Sequence, residues 1–379
     1  MNHLRTIRLW GVLVLLTTLS GTALGIQRVI PTSDDKLVYS PFNWYRAASF
    51  AQSANPGAYL KFGFSGTSVG VDVDVSPLTG VPAAQYPMVR YSVDGKPATT
   101  VQLTPATRLI QCATGLPKGS HSLMLQYIAG YVFLDFWTPV NVLKVTGISL
   151  DSGASTIEPF GPIARRPLNA LFLGDSITNG DDDVAAFSHG ITNEVDTQDA
   201  TLGYPAVVSS GIDAEFGVVA YGGASWHNGA ADGHTPGLTT FYSMFDSVHS
   251  RLVQGKYSPV PNDVFINMGE NSGPIGDEAP KLLVALRSAC GPKTNLFVIV
   301  PFSGRARTAL AGGYAAYRTL APSDSHTYFI DLGDNPFLES RGSTMYSVDG
   351  QHPLSALHAK LAAQIVQARS MLIHRSSHR

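Results

Sequence analysis

Charge is scarce in this chain, and neither sign is in excess. Of 379 residues, 26 are Lys or Arg and 28 are Asp or Glu, a formal net charge of −2. Charged residues are 14% of the chain. No basic stripe is available to neutralise phosphates, so nucleic acid is not an expected partner. Cysteine is scarcer still. Cys112 and Cys290 cannot build a disulfide framework; they fall in different expected domains, and two separate buried thiols are the expected state. Metal ligands show no grouping either. His189, His227, His234 and His249 have no tight spacing and no cysteine among them, so no zinc site is expected. Asp181-Asp182-Asp183 is a carboxylate run, but Ca²⁺ needs converging oxygens and three consecutive side chains diverge. A solvated loop is the expectation there, with no metal and no cofactor.

The N-terminus carries a leader pattern. Arg5 and Arg8 precede an apolar run from Leu9 to about Leu19, and Ala23-Leu24-Gly25 follows. A basic start, a short apolar centre and small residues at the cut are the parts of a secretory signal peptide, here residues 1–25. The run is short for a spanning helix, which needs about 20 residues. An uncleaved anchor is the alternative; the expected product is secreted or periplasmic, with no stable membrane insertion once the leader is cut. The remainder is long for a single core, and two domains are expected.

Two periodicities divide that remainder. In "YLKFGFSGTSVGVDVDVS", Leu60, Phe62 and Phe64 alternate, then Val69, Val71, Val73 and Val75 past Ser65-Gly66-Thr67. Period 2 on both sides of a Gly-containing turn predicts a hairpin with one buried face. "VRYSVDGKPATTVQL" repeats the device, with Asp94-Gly95 as its turn. "HSLMLQYI" (121–128) and "VLKVTGISLD" (142–151) add further strands. Residues 26–151 thus read as an antiparallel β-sandwich. Residues 152–167, with two glycines, three prolines and no period, read as a linker.

From 168 to 379 short apolar runs recur at 168–174, 216–222, 263–269, 295–301 and 327–333. The intervals between them hold crossover helices such as 279–290. That is the pattern of a parallel sheet covered on both faces. Leu357, Leu361 and Ile365 recur at i+4 near the end, so the last element is a helix. Such folds place function at the carboxyl ends of the strands. The first run ends in Gly174-Asp175-Ser176, and a serine there meets helix N–H groups that can stabilise an oxyanion; taken alone, it is equally an N-cap. The second run ends in Gly222-Gly223-Ala224-Ser225 and the third in Gly269-Glu270-Asn271. Asp349 and His352 stand three apart before the last helix, where the carboxylate can reach the imidazole or its neighbourhood.

These blocks, in this order, resemble the SGNH (GDSL-type) hydrolases over residues 168–379. The matching residues are Gly174-Asp175-Ser176-Ile177-Thr178, Gly223 with Ala224-Ser225, Gly269-Glu270-Asn271, and Asp349-Gly350-Gln351-His352. The resemblance implies a three-layer α/β/α, flavodoxin-like domain with Ser176 as nucleophile and His352 as base. It also implies an oxyanion hole from the Ser176 N–H, the Gly223 N–H (Gly222 being the alternative) and the Asn271 side chain. Ser272 stands where the family often has Asp. Asp349 would complete a Ser-His-Asp triad, or a backbone carbonyl would leave a dyad. The order of sandwich, Pro-containing linker and GDSIT strand, with "FGFSGTSVGVDV", resembles the two-domain carbohydrate acetyl esterases of family two and their jelly-roll domain. That likeness implies a secreted esterase acting on O-acyl, chiefly O-acetyl, groups of carbohydrate. Trp226 and His227 are candidate substrate-binding residues beside the second block. The competing readings are a lipid or aryl esterase, an acyltransferase, and a non-catalytic carbohydrate-binding protein.

Overall fold

The computed structural model describes residues 28–138, 140–185, 195–271, 275–333 and 351–377. The leader, residues 1–25, and Asp349 therefore lie outside the described residues. Twelve strands build the first unit: β1 (Arg28–Ile30), β2 (Val38–Tyr39), β3 (Tyr45–Arg46), β4 (Ala51–Ser53), β5 (Tyr59–Gly66), β6 (Val69–Val73), β7 (Met88–Val93), β8 (Thr99–Gln102), β9 (Leu109–Ala113), β10 (Gly119–Ala129), β11 (Leu143–Leu150) and β12 (Thr156–Ile157). They form two six-stranded antiparallel sheets. One runs β3-β4-β11-β6-β9 with β1 on β11; the other runs β12-β5-β10-β7-β8 with β2 on β5. Phe62, Phe64, Val69, Val71, Leu123, Leu125, Val145 and Ile148 fill the space between them. This is the sandwich that the alternation predicts.

Two expectations change here. The pair flanking Ser65-Gly66-Thr67 is not a hairpin: β5 and β6 belong to opposite sheets. Alternation reports that each strand buries one face, and both arrangements satisfy that equally. The corner is held by Asp151, whose carboxylate accepts from the Thr67 and Ser68 amides and from both hydroxyls. Gly66, at φ +134°, turns the chain out of its sheet. The stretch 152–167 is also more than a linker. Its Thr156 and Ile157 pair with Phe64 and Gly63, closing an edge that would otherwise present unpaired backbone; two residues are too few to register as a period. The β7–β8 hairpin is as predicted, with Asp94 and Gly95 both at positive φ, as a type I′ turn requires.

The second unit is a five-stranded parallel sheet of β13 (Leu168–Gly174), β14 (Ala214–Ala220), β15 (Asp263–Asn267), β16 (Asn295–Ile299) and β17 (Thr327–Ile330), in the order β14-β13-β15-β16-β17. That is the flavodoxin-like order 2-1-3-4-5. Its helices are α1 (Ser176–Asn179), α2 (Tyr204–Gly211), α3 (Leu238–Phe241), α4 (Glu278–Cys290), α5 (Arg307–Leu320) and α6 (Ser355–Ser377). On one face Phe172, Phe265, Phe297 and Tyr328 stack in register across four strands, with centroids 4.8, 5.0 and 5.2 Å apart. Leu357, Leu361 and Ile365 of α6 pack over that face, which is the i+4 stripe read from the sequence. Leu282, Leu283 and Leu286 of α4 cover the other face. Cys112 and Cys290 are both buried and free, and burial pushes each thiol up to about 12.

The sandwich covers the exposed edge of this sheet. At the β14 edge, Phe216 N–H donates to the Tyr59 hydroxyl at 3.2 Å and Asn55 Nδ2 donates to Ala220 O at 3.4 Å. A Cβ on Gly217 would stand 1.8 Å from Pro41 O, so only glycine admits the sandwich backbone there. The domain contact thus satisfies edge groups and leaves the carboxyl ends of β13, β14 and β15 facing one pocket.

Candidate active site

Gly174 closes β13 and lets the next turn fold back: a Cβ there would lie 1.9 Å from Thr178 Oγ1. Asp175 caps α1, its carboxylate accepting from the Ile177 amide at 3.2 Å. Ser176 is therefore the first helical residue and not the cap. It is 5% exposed and lines a pocket of ≈260 Å³ together with Gly223, Asn271 and His352. Gly223 sits at φ +76°, and a Cβ on it would press on Ala231 at 2.8 Å. Asn271 Nδ2 donates to Ala224 O at 3.1 Å. That bond uses one amide hydrogen and fixes the group beside the Gly223 turn, leaving its second N–H to point elsewhere. His352 reaches the pocket from just before α6. Four of the residues expected at the site thus line one cavity, although three follow the ends of different strands and His352 precedes α6.

Two expectations fail. Trp226 is 1% exposed and its Nε1 donates to Met268 O at 3.0 Å; it packs in the core with Leu238 and Phe241 and cannot stack on a ligand. His227 is exposed, 3.8 Å from Glu278, and lines no part of the pocket. The run Asp181-Asp182-Asp183 is no solvated loop. Asp181 and Asp183 are buried, because the chain turns tightly after α1 and folds these side chains inward. Asn179 Nδ2 donates to Asp181 Oδ1 at 2.7 Å, and the Asp199 amide donates to Asp183 Oδ1 at 2.7 Å. Burial raises the Asp175 and Asp181 carboxyls to about 7, the former also pushed by the nearby Glu270 carboxylate. Burial likewise holds Asp183 well above the usual carboxylate range.

The sandwich supplies walls that the motifs do not reveal. Tyr131, Val132 and Phe133, from the loop after β10, line the pocket opposite Ser176. Tyr131 and Phe133 meet edge to face at 5.5 Å, and Phe133 is 55% exposed. Thr197, Gln198 and Gln351 add polar lining. The signal for this wall is visible in hindsight: "YVFLDFW" (131–137) is aromatic-rich and breaks the strand alternation. Among the described residues, no group of three or more His, Cys, Asp or Glu could hold a metal ion. No helix among them is long and apolar enough to cross a membrane.

A sandwich whose loop walls the carboxyl-end pocket of a flavodoxin-like sheet is a two-domain architecture that the chain shares with solved family two carbohydrate esterases. Residues 45–129 match the family model for the carbohydrate esterase 2 N-terminal domain. No curated protein matches the chain by sequence. Among solved structures, the chain is similar to a family two carbohydrate esterase from Cellvibrio japonicus, with 14% identity, 92% of this chain and 98% of that one covered, and a TM-score of 0.73. It is similar to a family two carbohydrate esterase from Clostridium thermocellum solved with cellohexaose, with 17% identity, 88% and 97% covered, and a TM-score of 0.68. It is also similar to an acetyl xylan esterase from the rumen bacterium Butyrivibrio proteoclasticus, with 15% identity, 90% and 97% covered, and a TM-score of 0.68. At these identities the likeness is one of fold, and it spans both domains.

Proposed function

We propose that this chain is a secreted serine esterase that removes O-acyl groups, chiefly O-acetyl, from carbohydrate. The observation that carries this reading is the convergence of Ser176, Gly223, Asn271 and His352 on one pocket. Serine at its ordinary pKa is a weak nucleophile, so an imidazole must take its proton as it attacks. Ser176 Oγ adds to the acyl carbonyl carbon while His352 accepts the hydroxyl proton. The oxyanion that forms is met by the Ser176 and Gly223 amides and the Asn271 side chain. As the C–O bond to the sugar breaks, His352 returns the proton to the leaving alcohol. Water then attacks the acyl-Ser176 ester by the same route, releasing the carboxylic acid and restoring the serine.

Carbohydrate as the alcohol is supported by the family match over residues 45–129, by the cellohexaose complex of a similar fold, and by the pocket-lining aromatic pair of half-buried Tyr131 and exposed Phe133. Export is supported by the pattern of residues 1–25. The test is turnover by the purified protein on acetylated xylo- and cello-oligosaccharides against 4-nitrophenyl esters of rising chain length, with Ser176→Ala as control. Acetylated sugars and short esters should be hydrolysed and Ser176→Ala should be inert. Preference for long acyl chains would make it a lipid esterase. Sugar binding with no turnover of any ester would make it a binding protein.

A further inference from the structure

The turn that carries Gly223 is held from both domains. Gly222 C=O and Gly223 N–H are opposite ends of one planar peptide unit, so whatever fixes the carbonyl also sets the direction of the N–H. The carbonyl is fixed by the Ala231 N–H, which donates to Gly222 O at 2.8 Å. The next residue, Asp232, is buried. Its Oδ1 accepts from the His234 and Thr235 amides at 3.0 and 2.9 Å, closing the loop to which Ala231 belongs. Its Oδ2 accepts from the Thr235 hydroxyl at 2.7 Å and from the Phe136 amide at 3.1 Å. Phe136 belongs to the sandwich.

The sandwich loop is itself anchored. Buried Asn141 accepts from the Tyr127 hydroxyl at 2.9 Å and donates to Tyr131 O at 2.7 Å. The Phe136 ring packs on Tyr221, the residue before the turn, with centroids 5.6 Å apart. Val132 reaches the turn directly: a Cβ on Gly222 would collide with Val132 Cγ2, so the valine rests against that glycine. The turn is thus gripped between Val132 of one domain and Ala231 of the other, and Asp232 bonds the two sides together.

We propose that Asp232 is a positioning residue for the oxyanion hole: by tying the Phe136 amide to the Ala231 loop it fixes the Gly222–Gly223 peptide plane, against which Val132 seats the turn. This rests on the reading of the Gly223 N–H as an oxyanion donor. The sandwich then takes part in the chemical step for every ester, whether or not the alcohol is a sugar, which walling the pocket does not require. A misaimed donor stabilises the transition state less and leaves ground-state binding alone.

The test uses 4-nitrophenyl acetate, an ester without sugar, and two variants that loosen the grip from opposite domains, Asp232→Asn and Val132→Ala. Asparagine keeps an oxygen for the two loop amides and turns its NH₂ group toward the Phe136 N–H, which cuts the link between the domains. Each variant should lower kcat by about tenfold or more, short of the 10²–10³ lost with a whole donor, with KM little changed. Val132→Thr, which keeps the branched shape, should recover most of the loss. Amide hydrogen exchange at Ala231 reads the same link without substrate. It should quicken about tenfold or more in Asp232→Asn while the β14 amides keep their wild-type rates. Should Asp232→Asn fail to fold, the two Val132 variants decide the matter. Unchanged kcat overturns the proposal, as does a loss confined to KM. Exchange at Ala231 that stays the same, or that quickens equally along β14, also overturns it. A wild-type protein inert toward every ester would instead count against the esterase reading, while exchange at Ala231 would still decide the link.

Discussion

Lys61 Nζ lies 2.6 Å from Glu215 Oε1, an ion pair buried between the sandwich and β14. The same carboxylate accepts from the Tyr59 hydroxyl and, at 2.8 Å, from the Arg166 amide, while Lys61 also donates to Ala164 O at 2.9 Å. Taking both charges out of water is costly, and the pair persists because every oxygen and most of the ammonium hydrogens are bonded. Breaking one side leaves an uncompensated charge at the domain contact. Glu215→Ala should therefore destabilise by about 3–5 kcal/mol in urea unfolding, and Lys61→Met/Glu215→Ala should cost less than the two single changes added together. Single losses below about 1 kcal/mol would show the pair to be solvated.

Asn271 tests the oxyanion hole. Its amide is fixed by the bond to Ala224 O and would meet charge that exists only in the transition state. Asn271→Ala should lower kcat by about 10²–10³ with KM little changed. A pure rise in KM would reassign Asn271 to substrate binding.

Phe133 tests the wall contributed by the sandwich. Its exposed ring lies at the mouth of the pocket beside Tyr131, where a pyranose face could stack. Phe133→Ala should raise KM for an acetylated oligosaccharide about tenfold, roughly 1.4 kcal/mol, and leave ethyl acetate turnover unchanged. Equal losses on both substrates would mean that the ring supports the pocket's shape and does not grip sugar.

Asp181 links the site to pH. Burial holds its carboxyl at about 7 against an ordinary 3.8. Between those values the folded protein keeps a proton that the unfolded chain has released. Stability is therefore full below about pH 4 and falls as pH climbs toward 7. Asp181→Asn keeps the bond from Asn179 and removes this titration. Its melting temperature should exceed that of the wild type at pH 8, with the gap closing as pH falls to about 3.8. The slope left in the variant belongs to Asp175 and Asp183, which burial shifts the same way. An offset that stays constant across this range would rule out the buried-acid account.

Much of this molecule is legible without coordinates, because it is written in local periods. Alternation marks Leu60, Phe62 and Phe64 as one buried face, and near-continuous apolar runs mark β13 to β17. The i+4 stripe of Leu357, Leu361 and Ile365 marks α6. The ends of the first three apolar runs and the segment before the last helix point to Ser176, Gly223, Asn271 and His352, and these four line one pocket. Tertiary structure alone decided that β5 and β6 join opposite sheets, that Trp226 is core, and that Asp232 accepts from Phe136 across the domain contact while Tyr131 and Phe133 wall the pocket. A period reports which side of an element is buried and never what covers it. Those partners are set by contacts between segments far apart in the chain, here the 231–235 loop bonded to Gly222 and to Phe136, and the 131–133 loop carried over the site by a sandwich docked on the β14 edge.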